Sequence, residues 1–361
     1  MARARRAKLI SDVGNGHIPG LRYVADSAPG IRRRRAGRGF AYVRPDGRRL
    51  RDKREIERVK SLAIPPAWTD VWICPVANGH ILGTGRDAKG RKQYRYHPKW
   101  RQVRDEAKFD RFGAFGEALP GLRRRVKRDM ALPGLPKERV VATVVALLDC
   151  CFARIGNEQY ARSNGSFGLT TLRDRHARFD GSGLRLRYRG KGGKEHEACI
   201  DDRRIVHIVR KSQAIPGQEL FQYVDEKGEG VPIGSSDVND YLRDATGEEF
   251  SAKDFRTWAG TVAMARELCR VGPGDSEQEL QANVVAAIDE VAGQLGNTRA
   301  VCRSSYVHPD IVDGYLDGSL DGAGSRRNGA KTSPGLSSEE RFVLSFLHKR
   351  SRTTSRTTRA A

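Results

Sequence analysis

The chain of 361 residues, 38% hydrophobic and 30% charged, is long enough to bury an ample core and to form two domains. Its 66 Lys and Arg residues exceed its 44 Asp and Glu residues, and the net charge of +22 predicts a polyanionic partner, with nucleic acid as the first candidate. No stretch approaches transmembrane length, and no basic amphipathic helix has an aromatic face. We therefore expect no membrane insertion and regard a membrane surface as the weaker alternative.

The six cysteines include no Cys-x-x-Cys pair and no histidine partner at zinc spacing, so we predict neither a metal site nor another cofactor. Cys150 and Cys151 are adjacent, and the other four lie in apolar runs. We expect all six to be reduced, buried thiols of a cytosolic protein. Residues 1–20 are basic, are expected to be flexible, and are not followed by an apolar signal core.

Short β patterns alternate with turn signals from Leu21 onward. We predict strands over residues 39–44, 71–76, 80–82 and 92–96, with the hairpin signal Asn78-Gly79 between the second and the third. Asp52 is a candidate N-cap of a short helix that reaches Leu62. Residues 21–98 are therefore predicted to form a small, very basic, β-rich domain.

Apolar residues at helical spacing dominate from Trp100 onward, so residues 99–320 are predicted to form a mainly helical domain. We predict helices from Pro136 to Cys151 and over residues 202–213, 238–245, 252–269 and 277–295. A hairpin is predicted from residues 184–189 and 195–200 around the Gly-rich loop 190–194. Residues 321–361 are expected to hold a linker, a short helix and a disordered basic tail.

Five polar residues lie at junctions of the helical region: Arg154, Lys191, Arg256, Asn297 and Tyr306. Each also has a purely structural interpretation. In so basic a chain, either arginine can be a solvated charge or a general phosphate contact. Lys191 can be an exposed turn residue, Asn297 a helix C-cap, and Tyr306 a half-buried packing residue.

Together these residues suit phosphoryl transfer without a metal. When a tyrosine oxygen attacks a phosphodiester, charge spreads over the nonbridging oxygens, and guanidinium groups can bind two of those oxygens at once. A lysine suits the role of general acid for the departing 5′-oxygen, and the amide of Asn297 can donate one more hydrogen bond. The product is a phosphotyrosyl enzyme that conserves bond energy, so religation needs no ATP.

Several separated motifs resemble those of the bacterial, poxvirus-like DNA topoisomerases IB, in that family's order and over most of residues 21–320. They are Arg154-Ile155-Gly156-Asn157-Glu158-Gln159-Tyr160, Phe167-Gly168-Leu169-Thr170-Thr171-Leu172, Gly190-Lys191, Lys253-Asp254-Phe255-Arg256-Thr257, Arg303-Ser304-Ser305-Tyr306 and Gly90-Arg91-Lys92-Gln93-Tyr94-Arg95-Tyr96. The resemblance implies that Tyr306 is the nucleophile, Arg154 and Arg256 the catalytic arginines, and Lys191 the general acid. Asn297 stands where many family members have histidine.

The resemblance also implies a fold, a reaction and a set of DNA contacts. The contacts are Arg91, Gln93, Tyr94, Tyr96 and Tyr160. The implied fold is α+β: a small β-rich N-terminal DNA-binding domain and a larger, mainly α-helical catalytic domain with a β-hairpin, forming a C-shaped clamp on double-stranded DNA. The implied reaction forms a 3′-phosphotyrosyl bond, relaxes supercoils by strand rotation and religates without ATP or metal. We expect a monomer in the cytoplasm, associated with the nucleoid.

Two alternatives remain open on the sequence. A tyrosine site-specific recombinase shares the nucleophile, two arginines and the lysine, but usually has a His-x-x-Arg pairing and an all-helical N-terminal domain. This chain has Lys253-Asp254-Phe255-Arg256 and a hairpin-rich N-terminal half. A non-catalytic DNA-binding or packaging protein would account for the charge alone. The run Arg32–Arg35 is predicted to be a nonspecific phosphate contact or a solvated loop.

Overall fold

The computed structural model describes residues 18–37, 39–88, 90–320 and 335–360. Most of the predicted flexible N-terminus and of the predicted linker lies outside these residues. The chain divides into two compact units, residues 1–110 with 355–361, and residues 111–354. Of the helices that the structure describes, none has the length and apolar character needed to cross a membrane.

The fold is α+β, as predicted, and every strand and helix predicted before residue 321 has a counterpart within a few residues. The strands are β1 (Ile31–Ala36), β2 (Gly39–Val43), β3 (Thr69–Ile73), β4 (Ile81–Arg86), β5 (Lys92–Tyr96), β6 (Ala177–Asp180), β7 (Gly183–Arg189), β8 (Glu195–Ile200), β9 (Gln222–Val224) and β10 (Gly230–Pro232). The helices are α1 (Lys53–Ser61), α2 (Pro98–Asp129), α3 (Lys137–Cys150), α4 (Glu158–Asn164), α5 (Arg203–Gln213), α6 (Ser235–Thr246), α7 (Ala252–Val271), α8 (Glu277–Gln294), α9 (Arg299–Ser305), α10 (Pro309–Leu316) and α11 (Ser338–Ala360).

The first unit is built on an antiparallel sheet of five strands in the order β2-β1-β3-β4-β5. Val71 and Ile73 of β3 and Val59 of α1 belong to its small hydrophobic core. Asp52 caps α1 as predicted, because its side chain accepts a hydrogen bond from the Glu55 N–H. Strand β5, which carries most of the expected DNA contacts, lies at one edge of this sheet.

The arginine run forms a strand, which contradicts the solvated loop that was one of its two predicted alternatives; the nonspecific phosphate contact stays a prediction. Arg32–Arg35 lie in β1, which pairs with β2 on one side and with β3 on the other. Arg33 is partly buried, and its guanidinium donates hydrogen bonds to the carbonyl groups of Ile64, Pro65 and Trp68. The loop was predicted from the charge of the run. An arginine can nevertheless lie in a sheet when backbone carbonyls accept hydrogen bonds from its guanidinium.

The second unit has one large hydrophobic core. Helix α3 contributes Val140 and Leu147, α7 contributes Met264, and α8 contributes Ile288, all of which are fully or almost fully buried. A three-stranded antiparallel sheet, β6-β7-β8, contributes Leu184, Leu186 and Ile200 to the same core, and its strand β7 contacts α5. Buried and exposed residues alternate along β7, which confirms the predicted hairpin of β7 and β8.

The cysteines are free thiols, but the prediction that all six are buried is wrong. Cys74 and Cys302 are buried, whereas Cys150 and Cys199 are exposed. Cys150 is the last residue of α3, where a helix end meets solvent. Cys199 lies on the outward face of β8, because its inward-facing neighbour is Ile200. An apolar stretch therefore does not bury each of its members.

The C-terminal helix α11 is tied to the second unit by a buried carboxylate. Glu340, 8% exposed, accepts hydrogen bonds from Arg123 at 2.8 Å and from the indole N–H of Trp258 at 2.9 Å. Arg123 also bonds Asp149. The sequence predicts a short helix followed by a disordered tail, but α11 continues through the Arg/Thr/Ser repeat to Ala360.

We expect the substitution Glu340→Gln to lower the free energy of unfolding by about 1.5–3 kcal/mol, since it removes a charged acceptor while Arg123 keeps Asp149. Burial opposes ionisation of Glu340, but the hydrogen bonds from Arg123, Ser337 and Trp258, together with the charge of Arg123, outweigh it and lower the pKa of Glu340. The stabilisation is therefore present above the ordinary carboxyl range and is lost as the pH falls below about 4. Urea denaturation at neutral and acidic pH measures both effects. Glu339→Gln, which removes a carboxylate bonded to two serine hydroxyls, is the control; equal stability of the two variants would contradict the expectation.

Candidate active site

The five residues singled out by sequence all lie in the second unit. Arg154 follows the end of α3, Arg256 lies in the second turn of α7, Asn297 follows α8, and Tyr306 caps the C-terminal end of α9. Contacts described below link these four residues. Lys191 lies apart from them, in the turn between β7 and β8.

Arg256 is 3% exposed and is held by two backbone carbonyls. Its Nη1 donates to the carbonyl oxygen of Phe152, and its Nη2 donates to that of Leu295 at 2.7 Å. Phe152 has a φ of +51°, a conformation that non-glycine residues rarely adopt. The Arg256 Cζ lies 5.0 Å from the centroid of the Tyr306 ring. The guanidinium is therefore fixed beside the tyrosine before any substrate arrives.

Arg154 is partly buried. Its Nη2 donates to the Oδ1 atom of Asn297 at 2.6 Å. Burial, and then the positive charge of Arg256, lowers the pKa of Arg154. Within the described part of the chain, neither arginine forms an ion pair with a carboxylate. The site thus holds two neighbouring positive charges that no acidic side chain neutralises, which suits it to an anion.

Asn297 takes part both in a helix cap and in the arginine cluster. Gly296, at φ +60°, is the left-handed residue that ends α8, and the Asn297 N–H donates to Ala292 at 2.9 Å. This pattern is a Schellman cap, in which the glycine rather than the asparagine takes the left-handed position. The Asn297 side chain turns to Arg154 instead. The cap and the polar role, which the sequence left as alternatives, therefore coexist.

Two buried donors in this cluster have no hydrogen-bond partner among the described residues. They are the Nδ2 atom of Asn297 and the Nε atom of Arg256. A buried N–H group without an acceptor costs free energy, so such groups in a native site call for an explanation. An oxyanion bound between the arginines would accept from both.

Tyr306 is positioned by the backbone of α7. Its N–H donates to Cys302, and its carbonyl oxygen accepts from the Thr261 hydroxyl at 3.2 Å. Gly260 lies directly beneath it, and a Cβ atom on Gly260 would come within 2.8 Å of the Tyr306 carbonyl oxygen. The close approach requires glycine at this position, and no local pattern in the sequence singles Gly260 out.

Lys191 is exposed in a short turn whose next residues, Gly192 and Gly193, have positive φ values. In the described residues no hydrogen bond or ion pair joins its amino group to the four clustered residues. The turn is nevertheless linked to the cluster, because the Lys194 Nζ donates to the Asn297 carbonyl oxygen at 3.0 Å. The structure therefore brings together four of the five candidates and places the fifth on an adjoining loop.

His196 was missed as a site residue. It lies on β8, and its Nε2 atom is 3.4 Å from the Nη1 atom of Arg154. The signal in the sequence is weak: strand alternation puts His196 on the inward face of the hairpin with Ala198, where a polar side chain needs a partner.

The expected DNA-contacting residues of the first unit are organised around one carboxylate. Asp87 accepts hydrogen bonds from the Nε of Arg91 at 2.7 Å and from the Nε2 of Gln93 at 3.0 Å. The rings of Tyr94 and Tyr96 stack with centroids 5.6 Å apart, which confirms that both project to the same face of β5. In the second unit, Tyr160 lies in the first turn of α4 and is partly buried.

The side chains that usually bind metal ions in proteins are those of His, Cys, Asp and Glu. No group of three or more such side chains is placed to hold a metal ion in residues 18–37, 39–88, 90–320 and 335–360. The polar groups that converge near Tyr306 are instead nitrogen donors from arginine and asparagine. A tyrosine beside a buried arginine, with a second arginine nearby and no carboxylate partner for either among the described residues, suits a phosphodiester, the group that a tyrosine-dependent DNA strand-cleaving enzyme attacks.

Comparison with known families and proteins gives a consistent result. The family model described as the catalytic core of eukaryotic DNA topoisomerase I matches residues 97–318, and that of the N-terminal domain of bacterial DNA topoisomerase IB matches residues 39–87. DNA topoisomerase 1B of Acanthamoeba polyphaga mimivirus is 32% identical over 285 residues, 77% of this chain and 85% of the relative. DNA topoisomerase 1B of Vaccinia virus (strain Copenhagen) is 25% identical over 74% of this chain and 83% of the relative. The chain belongs to the DNA topoisomerase IB family, which confirms the resemblance.

Among solved structures, a complex of the XerH site-specific recombinase with its difH substrate has a TM-score of 0.34 at 13% sequence identity. It covers 59% of this chain and 52% of the recombinase. This likeness is too weak to bear on the fold. The choice between topoisomerase and recombinase rests on the family match, which favours the type IB topoisomerase.

We expect Gly260→Ala to slow relaxation of supercoiled plasmid by on the order of 100-fold, because the new methyl group would displace the backbone of Tyr306 and misplace its ring against Arg256. The matched control is Gly293→Ala, since a Cβ atom on Gly293 in α8 meets nothing within 4 Å. Relaxation rates of both variants, compared at equal DNA binding, test the prediction. Wild-type rates in both would show that the contact with Gly260 does not set the position of Tyr306.

Proposed function

We propose that Tyr306 is the nucleophile of this type IB DNA topoisomerase, and that its oxygen attacks a phosphodiester of double-stranded DNA. The observation that carries the proposal is the buried guanidinium of Arg256 beside the Tyr306 ring, with Arg154 and Asn297 joined next to it. A charge held in place in a buried site needs no reorganisation when the transition state forms, so its stabilising effect is large.

In the proposed step, the Tyr306 oxygen loses its proton and bonds to phosphorus, while the bond from phosphorus to the 5′-oxygen breaks. Arg154 and Arg256 bind the nonbridging oxygens, and the free N–H groups of Arg256 and Asn297 are candidates to donate to them. The product is a 3′-phosphotyrosyl enzyme with a free 5′-hydroxyl. Religation is the reverse reaction and uses the energy kept in the phosphotyrosyl bond, so no ATP is consumed.

We assign Lys191 the role of general acid for the departing 5′-oxygen. Its exposed position on a Gly-rich turn leaves it accessible to a DNA strand, and the link from Lys194 to Asn297 keeps that turn beside the arginine cluster. A lysine carries the proton that the 5′-alkoxide needs, whereas an arginine does not release one. Contact with the cluster would then form only when DNA is bound.

We further propose that the edge of the first unit contacts DNA through Arg91, Gln93, Tyr94 and Tyr96, and that Tyr160 does so from the second unit. Asp87 holds the arginine and the amide side by side, and such groups suit phosphate and base-edge contacts. Between cleavage and religation, rotation of the free strand would relax supercoils. The C-shaped clamp on DNA, a monomeric state and association with the nucleoid are parts of the same proposal.

The substitution Tyr306→Phe is expected to abolish relaxation and the covalent adduct while DNA binding is kept, because it removes only the attacking oxygen. Plasmid relaxation in EDTA without ATP, stopped with detergent to trap protein linked to a 3′ end, measures both. Tyr223→Phe, on β9, is the matched control. An adduct formed by the Tyr306→Phe protein would identify another nucleophile, and recombined products from the wild type would favour a recombinase.

The substitution Lys191→Ala is expected to slow single-turnover cleavage by about 10²–10⁴-fold, the usual contribution of a general acid, with little change in DNA binding. Replacing the bridging 5′-oxygen by sulfur should restore the rate, since a thiolate leaves without being protonated. Lys227→Ala, in the exposed turn between β9 and β10, is the control. A Lys191→Ala protein that stays equally slow on the sulfur-containing substrate would rule out proton donation as its role.

A further inference from the structure

His196 is packed between the two turns that carry Lys191 and Asn297. A Cβ atom built on Gly190 would lie 2.4 Å from the His196 Cδ2, and one built on Gly296 would lie 2.6 Å from its Cε1. Only glycine permits these approaches. Because Lys191 and Asn297 are the residues that follow the two glycines, the position of this one ring sets the spacing between both turns.

The imidazole also meets the arginine cluster. The His196 Nε2 atom lies 3.4 Å from Nη1 of Arg154, and the other terminal nitrogen of Arg154 bonds Asn297. His196 on β8 pairs with Tyr188 on β7. The Tyr188 ring stacks on the imidazole, and the two ring centroids are 5.5 Å apart. Arg154 offers only N–H donors, so this contact is a hydrogen bond only when Nε2 is unprotonated and accepts.

The charges that face the ring favour its unprotonated form. Burial comes first, and then the positive charges of Arg154, Arg256 and Lys194 lower the pKa of His196, while Glu195 acts in the opposite direction. Protonation would place a further positive charge next to the two arginines and would convert the acceptor into a donor. The contact with Arg154 would then become a repulsion.

We propose that His196 is a positioning residue: in its neutral form it orients Arg154 by accepting a hydrogen bond and holds the turns of Lys191 and Asn297 at their working distance. This role rests on the Tyr306 chemistry proposed above. It adds a condition to that chemistry, since the arginine site is assembled only while a histidine outside the reacting groups is unprotonated.

The test compares His196→Gln and His196→Leu with the wild type in single-turnover cleavage of a duplex, followed as covalent adduct. The glutamine amide oxygen can accept from Arg154 near the position of Nε2 but does not titrate, whereas leucine cannot accept. At pH 8 we expect the leucine variant to be slower by about 10- to 100-fold, the effect of one lost hydrogen bond to a charged group, and the glutamine variant to recover most of the rate.

The pH profile separates positioning from packing. Because the pKa of His196 is lowered, the wild-type rate should fall relative to that of His196→Gln only at a pH below the ordinary histidine value of about 6.5, where the wild type alone gains a proton at this position. Tyr306 and Lys191 are common to both proteins, so the ratio of rates reports the difference at position 196. His207→Gln, an exposed histidine on α5, is the matched control and should keep the wild-type profile.

A rate ratio that stays constant from about pH 8 down to the lowest pH at which both proteins remain folded would overturn the proposal. So would a folded leucine variant that cleaves as fast as the wild type. If the leucine variant does not fold, the comparison of the wild type with His196→Gln decides alone. Failure of the Tyr306 chemistry is distinguishable, since the wild type itself would then form no adduct while still binding DNA.

Discussion

The buried guanidinium of Arg256 joins three segments that are distant in the chain. Its nitrogens bond the carbonyl groups of Phe152 and Leu295, which lie 104 and 39 residues away, and its Cζ lies beside the Tyr306 ring. A buried charge is costly unless it is hydrogen-bonded. The fold meets this requirement with backbone carbonyls rather than a carboxylate, so the end of α3, the end of α8 and the tyrosine are held together while the charge is not neutralised.

The use of backbone carbonyls instead of a carboxylate to bind Arg256 explains which polar groups surround the site. A carboxylate partner would stabilise the free protein but would compete with a phosphodiester for the same guanidinium. Arg154 also lacks a carboxylate partner among the described residues, and the side chains of Asn297 and His196 orient it. Burial and the charge of Arg256 lower the pKa of Arg154. The Arg256 Nε and Asn297 Nδ2 atoms also have no hydrogen-bond partner among the described residues. Leaving these charges and donors without partners lowers the stability of the free protein, but it keeps positive charge available for the reaction of a topoisomerase.

In the first unit, Arg91 has a carboxylate partner and Arg33 is bonded to backbone carbonyls. There Asp87 pairs with Arg91 at 2.6 Å and also binds Gln93, and Arg33 is satisfied by three carbonyl groups. These arrangements fix the direction of long side chains on a sheet, which suits contacts that position a duplex. The net charge of +22 is thus divided between residues that build the sheet, residues that can meet phosphates, and the unpaired arginines of the active site.

The sequence alone predicted the α+β class, the core helices α3, α7 and α8, and the family, because hydrophobic periodicity, capping residues and motif order are local properties. No bounds were predicted for strands β1, β6, β9 and β10 or for helices α2, α4, α9 and α10. It also singled out Arg154, Arg256, Asn297 and Tyr306. Only the tertiary structure decided that Arg154 bonds a side chain 143 residues away, that His196 joins this cluster, and that an arginine run forms a strand. Contacts over such separations depend on how helices and hairpins pack, and no local pattern encodes which polar groups packing leaves without a partner.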